Sequence, residues 1–458
     1  MAAENRQSGG SRLGRLGRLT GRVGRRMVHS RVVGVFSGKE TRERLHREAF
    51  VDSARRVAGD LGALKGAAMK LGQGLAMVAD TLELPADVRA QLSTLHDSAE
   101  PVPFDQIRAT VEAELGGPLS EHFAHFDTEP IGTASLAQAH AAVLHDGTSV
   151  VIKVLHPGVR ESIGVDLALM RTLARNIPGM RRRRAEMDAA LQLVAERLRE
   201  ELDYDREAAN LAVFAGFYDR DPDVTVPGVH PRWSTDRVLT LDRLDGASFE
   251  DFEATASPRA RQRGGMLLAR TFLEQTFVFR TLHADPHPGN VRFLPDWRIQ
   301  LLDFGCVQRF DEYFVANYAR IILGSLAGDR EQVLQAARDM GVWTGDSPKA
   351  GDLMWEYCQQ VIVPFSQPGF TIGGPEDDVV ERATRGSHRF LRYPELQGPP
   401  PLLYLHRSLG GIYSLIRRLK VKADWSVLLE QYCIHAIAVA EGRLDAGTQA
   451  LGVAASHG

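Results

Sequence analysis

The richest run of chemically capable side chains is His283-Ala284-Asp285-Pro286-His287-Pro288-Gly289-Asn290. Thirteen residues after Asn290 comes Asp303-Phe304-Gly305, at the end of the apolar segment Ile299-Gln300-Leu301-Leu302. A carboxylate, an amide five positions on and a second carboxylate at a strand end make a set of hard oxygen donors. Such a set suits a divalent cation bridging nucleotide phosphates, with one carboxylate left to accept a proton from an attacking hydroxyl. On this reading Asp285 is the base, while Asn290 and Asp303 hold Mg²⁺. Asp-Phe-Gly alone recurs by chance; the Asp–Asn spacing ahead of it makes the combination specific. Metal ligation by His283 and His287 is the lesser reading, and His283 fits support of the loop backbone better. Cys306 reads as a small packed residue rather than a reactive thiol.

Phosphoryl transfer also needs a cation on the nucleotide phosphates. Val150-Val151-Ile152-Lys153 is a lysine ending a short apolar strand, 132 residues before Asp285. A glutamate on a helix should orient that lysine. The spacing predicts one long charged helix over 184–218, its apolar stripe at Leu191, Val194, Leu198, Leu202 and Ala209. That helix carries Glu200, Glu201, Asp203 and Glu207. Asp203 and Glu207, four apart, share a face, and Glu207 is the expected partner of Lys153.

These residues require a sheet for the lysine, a helix for the glutamate and a strand–loop unit for the two aspartates. β-branched segments at 131–143 and 149–155, joined through Asp146-Gly147, and short strands at 224–226 and 238–241 supply the sheet. Helical patterns precede it at 40–78, 86–95 and 104–115, and from 249 onward the chain reads as helical apart from 283–304. The expected fold is α+β, with a basic arm at 1–38, a helical extension at 39–125, a sheet-bearing lobe at 126–244 and a helical lobe at 245–458. Apolar residues make up 44 % and charged residues 25 %, an ordinary globular balance. Cys306, Cys358 and Cys433 form no CxxC pair, which argues against a disulfide framework or a thiolate zinc site and for a reducing, cytoplasmic setting. No apolar run approaches the roughly 18–20 residues that span a bilayer. No nucleic-acid partner is expected.

Together with Lys70-Leu71-Gly72-Gln73, these motifs make a resemblance specific. Over roughly 40–420 the chain resembles the UbiB/AarF family of atypical kinases, the coenzyme-Q-linked protein-kinase-like proteins. The family's Lys-x-Gly-Gln motif stands at Lys70–Gln73 and its Glu-x-Asp motif at Glu201-Leu202-Asp203. Pro130-Ile131-Gly132-Thr133-Ala134-Ser135 takes the place of its alanine-rich loop, followed by Gln138 and His140. The resemblance implies a two-lobed protein-kinase-like fold with a small β-sheet N-lobe, a helical C-lobe and an N-terminal extension covering the active site. It implies ATP and Mg²⁺ as cofactors, with Gly132, Thr133, Ala134, Ser135 and Lys153 at the nucleotide. It also assigns catalytic roles to Lys70, Gln73, Glu201 and Asp203. Lys70 and Gln73, three apart on one helix face, would then lie among Glu201, Asp203 and Asp303 as a charged lid.

Two departures bear on chemistry. Gly132-Thr133-Ala134 replaces a run of alanines, which changes the backbone freedom of a phosphate-binding loop. After Gly305 the chain reads Cys306-Val307-Gln308-Arg309-Phe310 and enters a helix capped by Asp311, with no Ala-Pro-Glu following. Without the segment that presents peptides in ordinary kinases, a lipid, isoprenoid or phenolic acceptor, or plain ATP hydrolysis, is favoured over protein phosphorylation. Two other readings stand beside this one: a nucleotide-gated scaffold, and a small-molecule phosphotransferase of the aminoglycoside type. Lys70–Gln73 and Glu201–Asp203 argue against the latter.

The arm at 1–38 holds eight arginines and one acid, +7 against −10 for the remainder of the chain. Leu13, Leu16, Leu19, Val23 and Met27 recur at steps of three and four among these arginines, as in a helix lying on the anionic inner face of a membrane. Gly14, Gly17, Gly21 and Gly24 each cost about 1 kcal/mol of helix stability, so a solvated basic tail stands as an equal reading. If the arm is a membrane-surface anchor, deleting residues 1–38 should reduce sedimentation with anionic vesicles and leave nucleotide binding intact. The binding that is lost should be the part that weakens with salt, since exposed charges are screened over about 10 Å at 0.1 M.

Overall fold

The computed structural model describes residues 101–134, 136–161, 192, 196, 199–390, 392–396 and 398–444. The arm at 1–38, the helices expected at 40–78 and 86–95, Lys70, Gly72, Gln73 and Ser135 lie outside the described residues. What is described falls into two compact units. One runs to Asp205 and includes His230–Asp242; the other holds Arg206–Val229 and the chain from Arg243 onward.

The first unit is a four-stranded antiparallel sheet with a helix on its face. Helix α1 (Phe104–Leu115) leads through one short turn into β1 (Phe123–Thr133), β2 (Ala137–Leu144) and β3 (Ser149–Leu155). With β5 (Val238–Asp242) these form a sheet of order β1-β2-β3-β5. The strand expected over 131–143 is thus two strands: β1 begins at Phe123, and Ala134 N–H donates to the Ala137 carbonyl to close a tight turn. Strand alternation places Val150, Ile152 and Val154 on the inner face with no exposure, packed with Ile107, Val111, Phe123 and Val238. Lys153 takes the opposite face. Its register across the sheet reads Gly132, Ala139, Lys153, Leu239.

Buried polar groups on the inner face of β2 fix the edge of this unit. Gln138 Oε1 accepts from the Val102 N–H, which orients the amide so that Nε2 faces His140 Nε2 at 3.2 Å. His140 Nδ1 stands 2.9 Å from the Asp127 carbonyl and, facing an acceptor, must carry the proton. His140 is therefore neutral, with Nε2 accepting from Gln138.

Helix α2 (Tyr204–Tyr218) opens the second unit from Arg206 onward. The single helix expected over 184–218 does not form: residues 199–201 are helical, Leu202 and Asp203 interrupt, and a new helix starts at Tyr204. The interruption shifts the helical phase, so Ala209 is exposed, while Glu207, Asn210, Leu211 and Phe214 are buried. Helices α3 (Phe249–Thr255) and α4 (Pro258–Leu273) follow; α4 runs into a π-helical turn, Glu274–Val278. After 249 the chain departs from helix in and around the expected 283–304 segment and in one further small ribbon. A sheet of order β4-β9-β8-β6 comprises β4 (Val224–Thr225), β6 (Ala247–Ser248), β8 (Val291–Phe293) and β9 (Ile299–Leu301). A separate pair joins β7 (Thr281–His283) to β10 (Val307–Arg309).

Helices α5 (Glu312–Ala327), α6 (Arg330–Asp339), α7 (Pro348–Ile362), α8 (Val379–Phe390), α9 (Pro400–Leu419) and α10 (Trp425–Ala440) complete the unit. A small ribbon of β11 (Phe370–Ile372) and β12 (Val421–Ala423) lies among them. Helix α5 starts where the sequence places it, Asp311 accepting from the Phe314 N–H at 2.7 Å. It packs on α6 and α10, while α4 packs on α9. No helix among the described residues is long and apolar enough to cross a membrane.

Burial holds the pKa of His140 below its usual 6.5. The unfolded chain therefore takes up a proton that the native state refuses, and native stability falls as pH drops below about 6.5. Denaturant titrations between pH 7.5 and 5 should show this loss. His140→Gln, which keeps a donor and an acceptor but does not titrate, should flatten it.

Candidate functional site

Two antiparallel ladders hold the loop that carries Asp285 and the segment that carries Asp303. Strand β7 enters the 284–290 loop and β8 leaves it; β9 enters the 302–306 segment and β10 leaves it. Because β7 pairs with β10 and β8 with β9, both segments are tied at both ends to one another. Further backbone bonds continue the pairing into the loops: Ala284 N–H to the Cys306 carbonyl at 2.9 Å, and Leu302 N–H to the Asn290 carbonyl at 2.8 Å.

Within this frame the expected metal-binding side chains are oriented. Asn290 Nδ2 donates to the Asp285 carbonyl at 3.0 Å, and since a carbonyl only accepts, the amide cannot be reversed and Oδ1 is left as the outward acceptor. Asp303 sits at φ +56°, a left-handed conformation that costs roughly 1–2 kcal/mol for a residue with a Cβ. Two bonds hold it there. His283 Nε2 donates to its carbonyl at 2.6 Å, and its own Oδ1 accepts from the Gly305 N–H at 3.1 Å. His283 thus supports backbone, that of the Asp303 segment. The oxygens of Asn290 and Asp303 fit Mg²⁺, which needs only one or two protein ligands when phosphates supply the rest. Among the described residues no cluster of three or more His, Cys, Asp or Glu forms a self-sufficient metal cage.

Helix α2 locks the same segment from one face. Asn210 Nδ2 donates to the Phe304 carbonyl at 2.9 Å, and the Phe214 ring lies 4.6 Å from that of Phe304, which is fully buried. Glu207, one turn before Asn210, is 3 % exposed. A Cβ built on Gly305 would lie 3.4 Å from Asp303 Oδ1 and 3.9 Å from Glu207 Oε2, so both carboxylates approach this glycine. The π-turn after α4 supplies a second brace: Gln275 Oε1 accepts from the His283 N–H at 3.0 Å, and Nε2 donates to the Tyr218 hydroxyl at 3.2 Å. Beside it, burial pushes the Glu274 carboxyl up to about 7 against the opposing pull of Arg270.

In the first unit, Lys153 stands on the sheet face that β2 paves with Ala137, Ala139 and Ala141. Gly132 is in the same cross-strand row, two strands away or about 10 Å. Gly132 and Thr133 belong to the end of β1 rather than to a free loop, Ala134 enters the turn, and one extra residue at Ile131 bulges the strand just before them. Lys153 Nζ lies 5.8 Å from the centroid of the Tyr204 ring. Glu201 precedes the break before α2 and Asp203 lies in it; both are exposed, and Arg160 Nη2 donates to the Leu202 carbonyl at 2.6 Å. Lys153 belongs to the first unit and Glu207 to the second.

The structure therefore brings together Asp285, Asn290, Asp303 and Glu207. It adds Asn210, Phe214, Gln275 and Arg407, the last within 3.0 Å of Asp285. Asn210 was visible seven residues after Asp203, but its bond to a main-chain carbonyl leaves no trace in spacing. Asn210→Ala would strand the buried Phe304 carbonyl and should lower unfolding free energy by about 1–3 kcal/mol in denaturant titration.

The profile of the ABC1 atypical kinase-like domain matches residues 94–337. The mitochondrial atypical kinase COQ8 of Saccharomyces cerevisiae is 29 % identical over 388 residues, 82 % of this chain and 75 % of its own length. The mitochondrial atypical kinase COQ8B of Rattus norvegicus is 31 % identical over 373 residues, 80 % of this chain and 69 % of its own. A probable protein kinase UbiB of Xylella fastidiosa is 31 % identical over 373 residues, 78 % and 65 % of the two chains. Among solved structures, the complex of Rv3197 with erythromycin from Mycobacterium tuberculosis superposes with a TM-score of 0.59 at 23 % identity, over 86 % of this chain and 99 % of that one, which shows a shared fold. On the extent of the domain match and of the COQ8B similarity, the chain belongs to the ABC1 family of atypical kinases, the COQ8/UbiB group.

Proposed function

We propose that the protein binds ATP with Mg²⁺ and transfers or hydrolyses its γ-phosphoryl group, in support of isoprenoid-quinone or related lipid metabolism. The observation that carries this reading is the paired-ladder frame, in which Asp285, Asn290 Oδ1 and the left-handed Asp303 are held on two segments tied at both ends. Asn290 and Asp303 would hold Mg²⁺, which supplies neutralisation of phosphate charge when bound. Lys153, above the alanine face of β2 and in one row with Gly132, would contact the nucleotide phosphates, with Glu207 orienting it. Gly132, Thr133, Ala134 and Ser135 would border those phosphates. Asp285 would accept the hydrogen bond of the attacking hydroxyl.

The acceptor side favours a small molecule. Only residues 306–311 separate Gly305 from helix α5, and β10 occupies half of them. That leaves no long segment on which a peptide could lie. The pathway rests on the relatives, and the extension with Lys70 and Gln73 is assigned as a lid on the strength of its motif alone.

Titration calorimetry with Mg·ATP tests the reading. Wild type should bind Mg·ATP, and Asp303→Asn should weaken that binding about 100-fold, because one lost carboxylate leaves metal and phosphate charge unbalanced. Undiminished affinity in Asp303→Asn removes the assignment. Tight Mg·ATP binding without phosphate release or transfer would assign a nucleotide-gated scaffold instead.

A further inference from the structure

Helix α9 reaches the Asp285 loop at two points. Gly411 lies against Pro286 so closely that a Cβ there would stand 2.5 Å from Pro286 Cγ and 2.8 Å from the Pro286 carbonyl oxygen. One turn earlier, Arg407 Nη2 donates to Asp285 Oδ1 at 3.0 Å, with the two side chains 40 % and 49 % exposed. A pair this exposed contributes about 0–1 kcal/mol to folding, so stability is a weak reason for a cation in this position.

Both partners retain unused capacity. A guanidinium has five N–H donors, and among the described residues Asp285 is the acceptor that Arg407 meets. Asp285 accepts from Arg407 through Oδ1 and from Asn290 through its carbonyl; among the described residues no donor meets Oδ2. The surrounding face of α9 is open. Leu403, four residues before Arg407, is 65 % exposed, and a Cβ on Gly410, three residues after it, would find nothing within 4 Å. The helix contains no Asp or Glu over Pro400–Leu419, so nothing on it opposes an anion.

We propose that this face binds the phosphoryl acceptor and that Arg407 is a specificity-determining residue selecting a hydroxy acid. The acceptor hydroxyl donates to Asp285 Oδ2, while a carboxylate of the same molecule accepts from the remaining N–H groups of Arg407 and its apolar part lies over Leu403. A planar carboxylate matches the guanidinium fork, and such charge-assisted bonds are about twice as strong as neutral ones. In the transfer, the hydroxyl oxygen forms a bond to the γ-phosphorus of ATP and the bond from that phosphorus to the β–γ bridging oxygen breaks. ADP leaves, and the hydroxyl proton passes to Asp285. This inference rests on the ATP-dependent function proposed above.

The test uses the full chain with Mg²⁺ and a non-hydrolysable ATP analogue, titrated with 3-hydroxybenzoate and with phenol, which differ by the carboxylate. Wild type should bind 3-hydroxybenzoate at least tenfold more tightly than phenol. Arg407→Ala should remove the preference, and Arg407→Lys, which keeps charge but not the fork, should retain part of it. Equal binding of the two phenols, binding of neither, or a preference that survives Arg407→Ala overturns the inference. Affinity for the Mg²⁺–analogue complex, read in the same samples, separates the two levels. Normal nucleotide binding without acceptor preference rejects the role of Arg407 alone, whereas absent nucleotide binding in wild type rejects the function beneath it.

Discussion

The mutual pairing of β7 with β10 and of β8 with β9 is the constraint on which the site depends. A flexible loop carrying a metal ligand must lose backbone freedom each time it binds, at roughly 1–2 kcal/mol per ordered residue. Here the folded chain has already lost it. The 284–290 loop and the 302–306 segment begin and end in each other's ladders, so a shift of one drags the other. The left-handed Asp303 becomes tolerable for the same reason: its strain is distributed over a frame that His283, Gly305 and Asn210 also hold.

Buried and half-buried polar side chains in this unit serve the main chain more than one another. Asn210 reaches the Phe304 carbonyl, Gln275 the His283 amide and Asn290 the Asp285 carbonyl. Each satisfies a backbone group that neither helix nor ladder can pair, which is what allows irregular chain to be buried beside a core. The hydrophobic partner of this arrangement is Phe304, fully buried between the Phe214 ring and the His283 ring, which stands roughly perpendicular to it. Its burial anchors the middle of Asp-Phe-Gly, so that the residues on either side project toward the site while the ring belongs to the core.

Much of this was legible in the sequence where chemistry is short-range. The Asp285–Asn290 spacing, the apolar strand before Asp303, the alternation that turns Lys153 away from Val150, Ile152 and Val154, and the Asp311 cap all follow from local rules. The break at Leu202–Asp203 was missed although Asp203, a residue type favoured directly before a helix, marks it locally; the interruption also involves a long-range bond from Arg160 to the Leu202 carbonyl. A propensity argument sums over neighbours and cannot register a donor 42 residues away. The division of 131–143 into two strands was missed for a related reason. Ala134 and Ala137 carry no turn signal, and the turn is set by cross-strand pairing on either side.

The break before α2 has a structural consequence that a continuous helix would have prevented. A helix running unbroken through Ala209 would present that alanine on the buried stripe, whereas the restart at Tyr204 buries Glu207, Asn210 and Phe214 at steps of three and four. Three of the buried positions then meet two adjacent residues of one segment: the Glu207 carboxylate near Gly305, and the Asn210 amide and Phe214 ring on the carbonyl and ring of Phe304. Burying a glutamate in this way is costly unless its charge is matched, since an isolated carboxylate loses several kcal/mol on leaving water. Glu207 has an interaction partner in the fold, and the restart of the helix at Tyr204 places its carboxylate near Gly305, beside Asp303. The interruption at Leu202 and Asp203 sets the phase with which α2 restarts, and in that phase Glu207 is on the buried face.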